Sequence, residues 1–186
     1  MAQNLPFKTK RDFESYNVRL TQYARANDEN IAVANVAIKG KFTQACETLN
    51  GFEGTISGLI APDIHRSRFF GPYAGKRPEN ISETDFAILA ANAEATIRTV
   101  VYPALNKQLA WYTTNYKPAC AKALGVSAQP NGAAYYAFRI REETTTDLTA
   151  EQIHQIGLSE VMRIRAEMVE VAKKAGYPSR EAFIAH

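Results

Sequence analysis

The sequence predicts an all-α protein: an irregular bundle of about six helices, with one long proline-kinked helix and one long C-terminal helix. Three observations carry this prediction. Apolar residues recur at three- and four-residue spacing along most of the chain, the period of a helix with one buried face. Ser or Thr stands repeatedly three residues before Asp, Glu or Gln at the head of such a stretch, the pattern of an N-terminal capping box. Proline and glycine gather in short breaks between the periodic segments, where a chain turns.

Taken in order, Thr9 and Asp12 cap a first helix over about 10–26, with Phe13, Tyr16, Leu20 and Tyr23 on one face. Ala, Val and Ile dominate 28–38 and Gly40 interrupts. A third segment then carries Phe42, Cys46, Leu49, Phe52, Ile56 and Ile60 on one side, which predicts a helical hairpin over 1–62. Gly51, Gly54 and Gly58 weaken its far end, because each costs about 1 kcal/mol against alanine inside a helix. Residues 63–80 read as a loop or crossing segment with little period. Ser82 and Asp85 open the long helix, which runs toward Cys120 through Phe86, Leu89, Ala93, Ile97, Val101 and Leu105. Pro103 lacks an N–H and its ring clashes with the preceding turn, so a kink near Thr99–Tyr102 or two abutting helices follows. After a break at Gly125 and Pro130, Asn131 caps a short helix through Arg141, and Thr149 with Gln152 caps the last helix over about 150–175. The whole is expected to be one helical domain over 1–186 or a piece of a larger protein, with a helical core in 81–186.

Composition narrows the functional classes. With 186 residues, 46% hydrophobic and 22% charged, the chain is long enough to bury a core and is not of a disordered class. A net charge of +3 with acidic and basic residues interleaved gives no basic stripe, so nucleic acid is not an expected partner. No 18-residue apolar run and no signal-type leader are visible, so no membrane span is expected. Cys46 and Cys120 lack C-x-x-C spacing. Buried free thiols are the expected state, with a single disulfide as the alternative.

The unusual chemistry is concentrated in Tyr135–Val161. Tyr135, Arg139 and Glu143 share a helix face by four-residue spacing, which lets Arg139 stack on the ring and pair with the carboxylate, or face a cleft and receive a substrate carboxylate. The Thr144, Thr145, Thr146 and Asp147 run competes poorly for helix and suits the turn before Thr149. On the last helix Ile153, Ile156, Val161, Ile164, Met168 and Val171 form an apolar arc. Glu160 projects into that arc and His154 borders it. Glu160 there needs an Arg, a helix N-terminus or a water-filled channel. Glu151 and His154 have E-x-x-H spacing, but the second such pair of a di-iron bundle is missing, and no H-E-x-x-H occurs. No metal site and no catalytic set can be assembled from spacing. G-x-S-x-G, the P-loop and the dinucleotide fingerprint are also absent.

The segment PNGAAYYAFRIREETTTDLTAEQIHQIGLSEVMRIRAEM resembles the bacterial family called domain of unknown function 885, whose pattern runs T-T-T-D-L-T-x-E-x-I-H-x-L-G-x-x-E-V. Ile156 stands where that pattern has leucine, a volume-conserving change. VVYPALNKQLAWYTTNYKPACAKALGV is similar to an upstream helix of the same family. The resemblance implies an all-helical protein akin to zinc metallopeptidases of the thermolysin-like clan, with a channel between helices and peptide as the substrate class. The family's zinc helix, H-E-x-x-P-G-H, lies downstream of the matched motif, and the chain reaches His186 without it. Zinc is therefore implied for the longer family protein and no cofactor for this chain, and the implied partner is a C-terminal catalytic half.

By matching positions Tyr135, Tyr136, Arg139, Thr144, Thr145, Thr146, His154 and Glu160 become candidates for the channel wall or for supporting that half. The alternative is a free-standing helical interaction module without enzymatic activity. The first reading predicts an exposed apolar face through which the chain can also dimerise, and the second predicts none. Relatives of this kind are exported or lipid-anchored, which implies a periplasmic or envelope setting, while the chain's own residues leave a cytoplasmic one open.

Overall fold

The computed structural model describes residues 5–186 and is built of helices and turns, with no strand among the described residues. The chain forms two compact units, one ending at Gly125 and the other spanning Val126–His186.

In the first unit, α1 (Lys10–Thr21) begins at the Thr9 cap, where the Asp12 carboxylate accepts from the backbone N–H of Thr9 at 2.8 Å and of Lys8 at 3.0 Å. Those donors, the Thr9 backbone foremost, hold the Asp12 carboxyl below the usual carboxylate range. Gln22 separates α1 from α2 (Tyr23–Lys39), so the expected helix over 10–26 is two helices that meet at one residue. The expected hairpin does not form. Residues 42–60 hold only a short 3₁₀ turn at Cys46–Leu49 and α3 (Phe52–Ser57), which Gly51 enters in the left-handed region at φ 78°. Three glycines in eight residues leave too little helical stability for a longer segment.

The crossing segment is irregular as expected, yet it is not a surface loop. Ile64, Phe70, Tyr73 and Ile81 are all buried in the main core with Phe13, Tyr16 and Leu20 of α1. Tyr16 donates to the Phe69 carbonyl at 2.7 Å, and Tyr73 donates to Asn17 Oδ1 at 2.7 Å. These bonds satisfy hydroxyls that burial takes from water. The same burial pushes the Tyr16 pKa up to about 12 and raises that of Tyr73 further.

Ser82 caps α4 (Glu83–Thr96) by accepting from Asp85 N at 3.0 Å. The expected break at Pro103 takes a defined form: residues Ile97–Val101 make a π turn, closed by Tyr102 N–H on the Ile97 carbonyl, and α5 (Tyr102–Trp111) continues from it. A second π turn, Tyr112–Tyr116, ends α5 and stands two residues before Pro118 just as the first stands two before Pro103. Widening the turn relieves the clash that a proline ring makes with the carbonyl behind it. Ile97, Val101 and Leu105 around the first π turn are 0% exposed and form the centre of the core.

Side chains from α1 and α2 fasten this long element. Asn17 Nδ2 donates to the Leu89 carbonyl at 2.9 Å, and buried Asn27 Nδ2 donates to the Ala104 carbonyl at 3.2 Å. Trp111 Nε1 donates to Asn35 Oδ1 at 3.0 Å, and Lys107 pairs with Asp28 at 2.7 Å.

The cysteine expectation is overturned: Cys46 and Cys120 form a disulfide with Cα atoms 5.1 Å apart, and no free cysteine remains. Backbone pairing brings them together. Cys46 N–H donates to the Ala121 carbonyl at 2.9 Å and Ala121 N–H donates to the Gln44 carbonyl at 2.9 Å. That short ladder ties the 42–49 segment to the end of the long element, a pairing across 74 residues that local spacing does not reveal.

The second unit contains α6 (Gly132–Thr144), α7 (Ala150–Lys174) and α8 (Arg180–Ile184). Asn131 stands at the cap of α6 with φ 55°, but its side chain accepts no capping hydrogen bond, contrary to expectation. Gly132 fixes the entry instead. A Cβ built there would lie 1.9 Å from the Val126 carbonyl oxygen, so the turn at Val126–Ala128 can close on α6 only over a glycine. Thr149 opens α7 with the expected capping box: Gln152 N–H donates to Thr149 Oγ1 at 3.2 Å and Thr149 N–H to Gln152 Oε1 at 2.8 Å. Tyr177 packs on Phe183 with ring centroids 5.1 Å apart, folding α8 back toward the end of α7.

Candidate functional site

The second unit's candidate site is a cleft of about 410 Å³ along one face of α6, from Ala133 to Arg141, closed by Ser127 and by the turn into α7. Local sequence shapes it. Thr145 ends α6 in the left-handed region at φ 55°, and the hydroxyls of Thr144 and Thr146 lie 2.9 Å apart across the bend. Thr144 Oγ1 donates back to the Ile140 carbonyl at 2.7 Å, while Thr146 Oγ1 accepts from Leu148 N at 3.4 Å. The threonines thus make the turn by offering their hydroxyls to the backbone.

Of the residues singled out from the sequence, Tyr136 and Thr146 line this cleft. Arg141 and Asp147 line it as well, with Ile140 and Leu148 as apolar wall. Neither Arg141 nor Asp147 forms an ion pair among the described residues. The sequence signal for Arg141 was its position one turn before the threonine run, which counts only once the chain is seen to reverse there. A cationic fork, a carboxylate and the hydroxyl-bearing Ser127, Tyr136, Thr146 and Thr149 around apolar wall can hold a polar, amide-like or zwitterionic ligand. They contain no nucleophile paired to a base.

The remaining candidates lie elsewhere in the unit. Tyr135 is exposed on α6. Arg139 pairs along its own helix with Glu142 at 2.6 Å and with Glu143, so its guanidinium is held by carboxylates of the same face. Glu160 accepts from Arg163 at 2.7 and 2.9 Å, and Arg163 also reaches Glu167 at 2.7 Å. The carboxylates raise the Arg163 pKa, the Glu160 hydrogen bond most of all. Glu160 has the Arg partner that its position required, but the pair stands in solvent at 49% and 53% side-chain exposure. His154 is exposed on α7, apart from the cleft lining.

No group of three or more His, Cys, Asp or Glu side chains that could hold a metal ion exists among the described residues, so the donor set of a zinc centre is not assembled by them. No helix among them is long and apolar enough to cross a membrane.

What α7 does present is an apolar surface. Ile156, Val161, Ile164, Met168 and Val171 of its arc are all exposed, and Met162 is 66% exposed beside them. Of the whole helix only Ala172 is buried. α6 adds Tyr135, Tyr136 and Phe138. A 25-residue amphipathic helix with its apolar face in water is unusual, since that face is normally what packing covers.

Comparison with known proteins gives this geometry a context. The model of the family described as "Bacterial protein of unknown function (DUF885)" matches residues 1–186. The crystal structure of the "putative lipoprotein" from Colwellia psychrerythraea superposes with a TM-score of 0.80 at 25% sequence identity. The match covers 98% of this chain but 32% of that one, so the chain spans about one third of the length of that protein. No curated protein matches the chain.

Proposed function

Because the chain belongs to the DUF885 family, we propose that it is the non-catalytic helical portion of a longer, zinc metallopeptidase-like envelope protein, packing the apolar face of α6 and α7 against the remainder. The carrying observation is the uncovered arc of α7, in a chain that spans 32% of its structural relative. The alternative of a stable monomeric module with a covered surface does not fit Val161, Ile164 and Val171 standing in water. In this reading the cleft at Tyr136, Arg141, Thr146 and Asp147 contributes wall to a substrate channel for peptide. Zinc and the attacking water belong to the downstream H-E-x-x-P-G-H segment of the longer protein.

The Cys46–Cys120 disulfide supports an exported setting, because such bonds persist in oxidising compartments such as the bacterial periplasm. The description of the Colwellia protein as a lipoprotein points the same way.

The test has two parts. The 186-residue chain alone should bind a hydrophobic dye and self-associate in light scattering. Val161→Asp with Ile164→Asp should abolish both while changing stability by only about 0.5 kcal/mol, as expected for surface positions. In a longer protein carrying the downstream motif, the same pair should cost zinc-dependent peptide hydrolysis. A dye-silent monomer, or tight stoichiometric zinc binding by the 186 residues alone, would overturn the proposal.

A further inference from the structure

A second cavity, of about 250 Å³, lies in the first unit and has no place in the function proposed above. Its walls are apolar and aromatic: Leu5 ahead of α1, Tyr16 and Leu20 of α1, Tyr23 at the start of α2, Leu59 just after α3, and Phe69 of the crossing segment. They are held in place. The Tyr16 hydroxyl is committed to the Phe69 carbonyl at 2.7 Å, and the Tyr23 ring meets the Phe69 ring edge-on at 5.4 Å. The Tyr16 hydroxyl is therefore used within the wall, and burial pushes its pKa up to about 12.

Two arginines, Arg19 and Arg68, both exposed, stand at the lining of the same cavity. They come from different elements, the last turn of α1 and the crossing segment, so the fold and not a local repeat brings them to one cavity. Neither makes an ion pair or side-chain hydrogen bond among the described residues, and no Asp or Glu lines the cavity. Arg25, Arg98, Arg139, Arg163 and Arg180 each have a carboxylate within 3.1 Å, whereas Arg19 and Arg68, like Arg141 in the other cleft, have none among the described residues. Like charges at one cavity repel, and an anion between them removes that cost and accepts charge-assisted hydrogen bonds from both forks. The apolar walls in turn favour a hydrocarbon or aromatic group over water.

We infer that this cavity binds a carboxylate joined to a compact apolar chain, with Arg19 and Arg68 holding the anion and Tyr16, Tyr23 and Phe69 enclosing the chain. The volume lies just under the usual range of about 300–1,000 Å³ for drug-sized ligands, which limits the occupant to a small amphiphile or to one terminal residue of a longer molecule. A free fatty acid and a peptide ending in an apolar residue both offer this chemistry.

The test is a calorimetric titration of the 186-residue chain with decanoate, with decyltrimethylammonium as the cationic counterpart. Two leucine-terminated tripeptides, one with a free carboxylate and one amidated, identify the source of the anion. Decanoate should saturate at one per chain. Arg19→Gln and Arg68→Gln should each weaken it roughly tenfold, the loss of one charge-assisted hydrogen bond. Arg141→Gln, in the other unit, should leave it unchanged. Competition by the free-carboxylate peptide and not by the amide would extend the site to peptide C-termini; failure of both peptides would restrict it to fatty-acid-like anions.

Equal binding of decyltrimethylammonium, or full binding in the Arg19→Gln/Arg68→Gln double variant, would overturn the inference. Arg19→Gln alone suffices if Arg68→Gln disturbs the crossing segment. Because the apolar face of α7 could also take up decanoate, the titration is repeated with Val161→Asp/Ile164→Asp. Persistence there separates this site from the packing face, and loss there overturns it.

Discussion

The two units solve the same problem in opposite ways. Up to Gly125 the chain buries its apolar faces on themselves: α1, α2 and α3 pack against one long element, aromatic rings fill the space, and a disulfide closes the end. From Val126 onward almost nothing apolar is buried, and α7 keeps a continuous arc in water. Periodicity looks the same in both. The difference shows that an amphipathic pattern specifies a helix and the face it wants covered, but not what covers it. In one unit the partner lies within the unit itself; in the other the arc is left exposed, and the proposed function supplies its cover.

Breaking the disulfide should separate the units most sharply. Replacing Cys46 and Cys120 with serine releases a loop of 74 residues, and the chain-entropy estimate puts the cost at about 4 kcal/mol. Hydrogen exchange should show lost protection in α5 and the 42–49 segment, with α7 unchanged. Equal loss in α7 would show that the units share one cooperative core. A smaller effect of the reverse kind is expected from Gly132→Ala. The added Cβ meets backbone at Val126 that no side-chain rotation can clear, so α6 should lose about 1–3 kcal/mol of protection while α1 and α4 hold theirs.

The smallest effect appears only in alkali. Tyr16 and Tyr73 have folded-state pKa values raised by burial, so the stabilisation they confer is complete below the ordinary tyrosine value near pH 10. It is lost as pH rises through about 12, where Tyr16 ionises in the folded state. Thermal melts between pH 9 and 12 followed by near-ultraviolet signals should show this decline. Tyr16→Phe should flatten it, and an unchanged slope in that variant would remove Tyr16 as its cause.

Much of this was legible before any coordinates. The caps at Thr9, Ser82 and Thr149 are written in three-residue patterns whose physics is local, and the disturbance around Pro103 follows from a missing N–H. What stayed hidden depends on distant residues meeting. Cys46 found Cys120 through a backbone ladder across the unit. The short α3 packs on α5 in place of building a hairpin, and the crossing segment supplies core residues from stretches with no period. In the candidate site the threonine turn was readable, because hydroxyl-to-backbone bonds are local. That Arg141 and Asp147 join Tyr136 and Thr146, while Arg139 and Glu160 answer to neighbours on their own helices, depends on where the chain reverses.

The paired π turns carry one more consequence. Leu89, Ala93, Ile97, Val101 and Leu105 follow one another in strides of four. On a straight α-helix each such stride overshoots a full rotation by about 40°, so four of them would swing the buried stripe through roughly 160°. One extra residue accommodated in the first π turn takes back about 100° of that drift. The first π turn, two residues before Pro103, therefore acts as a phase corrector that keeps a slowly precessing stripe aimed at a single wall of the first unit.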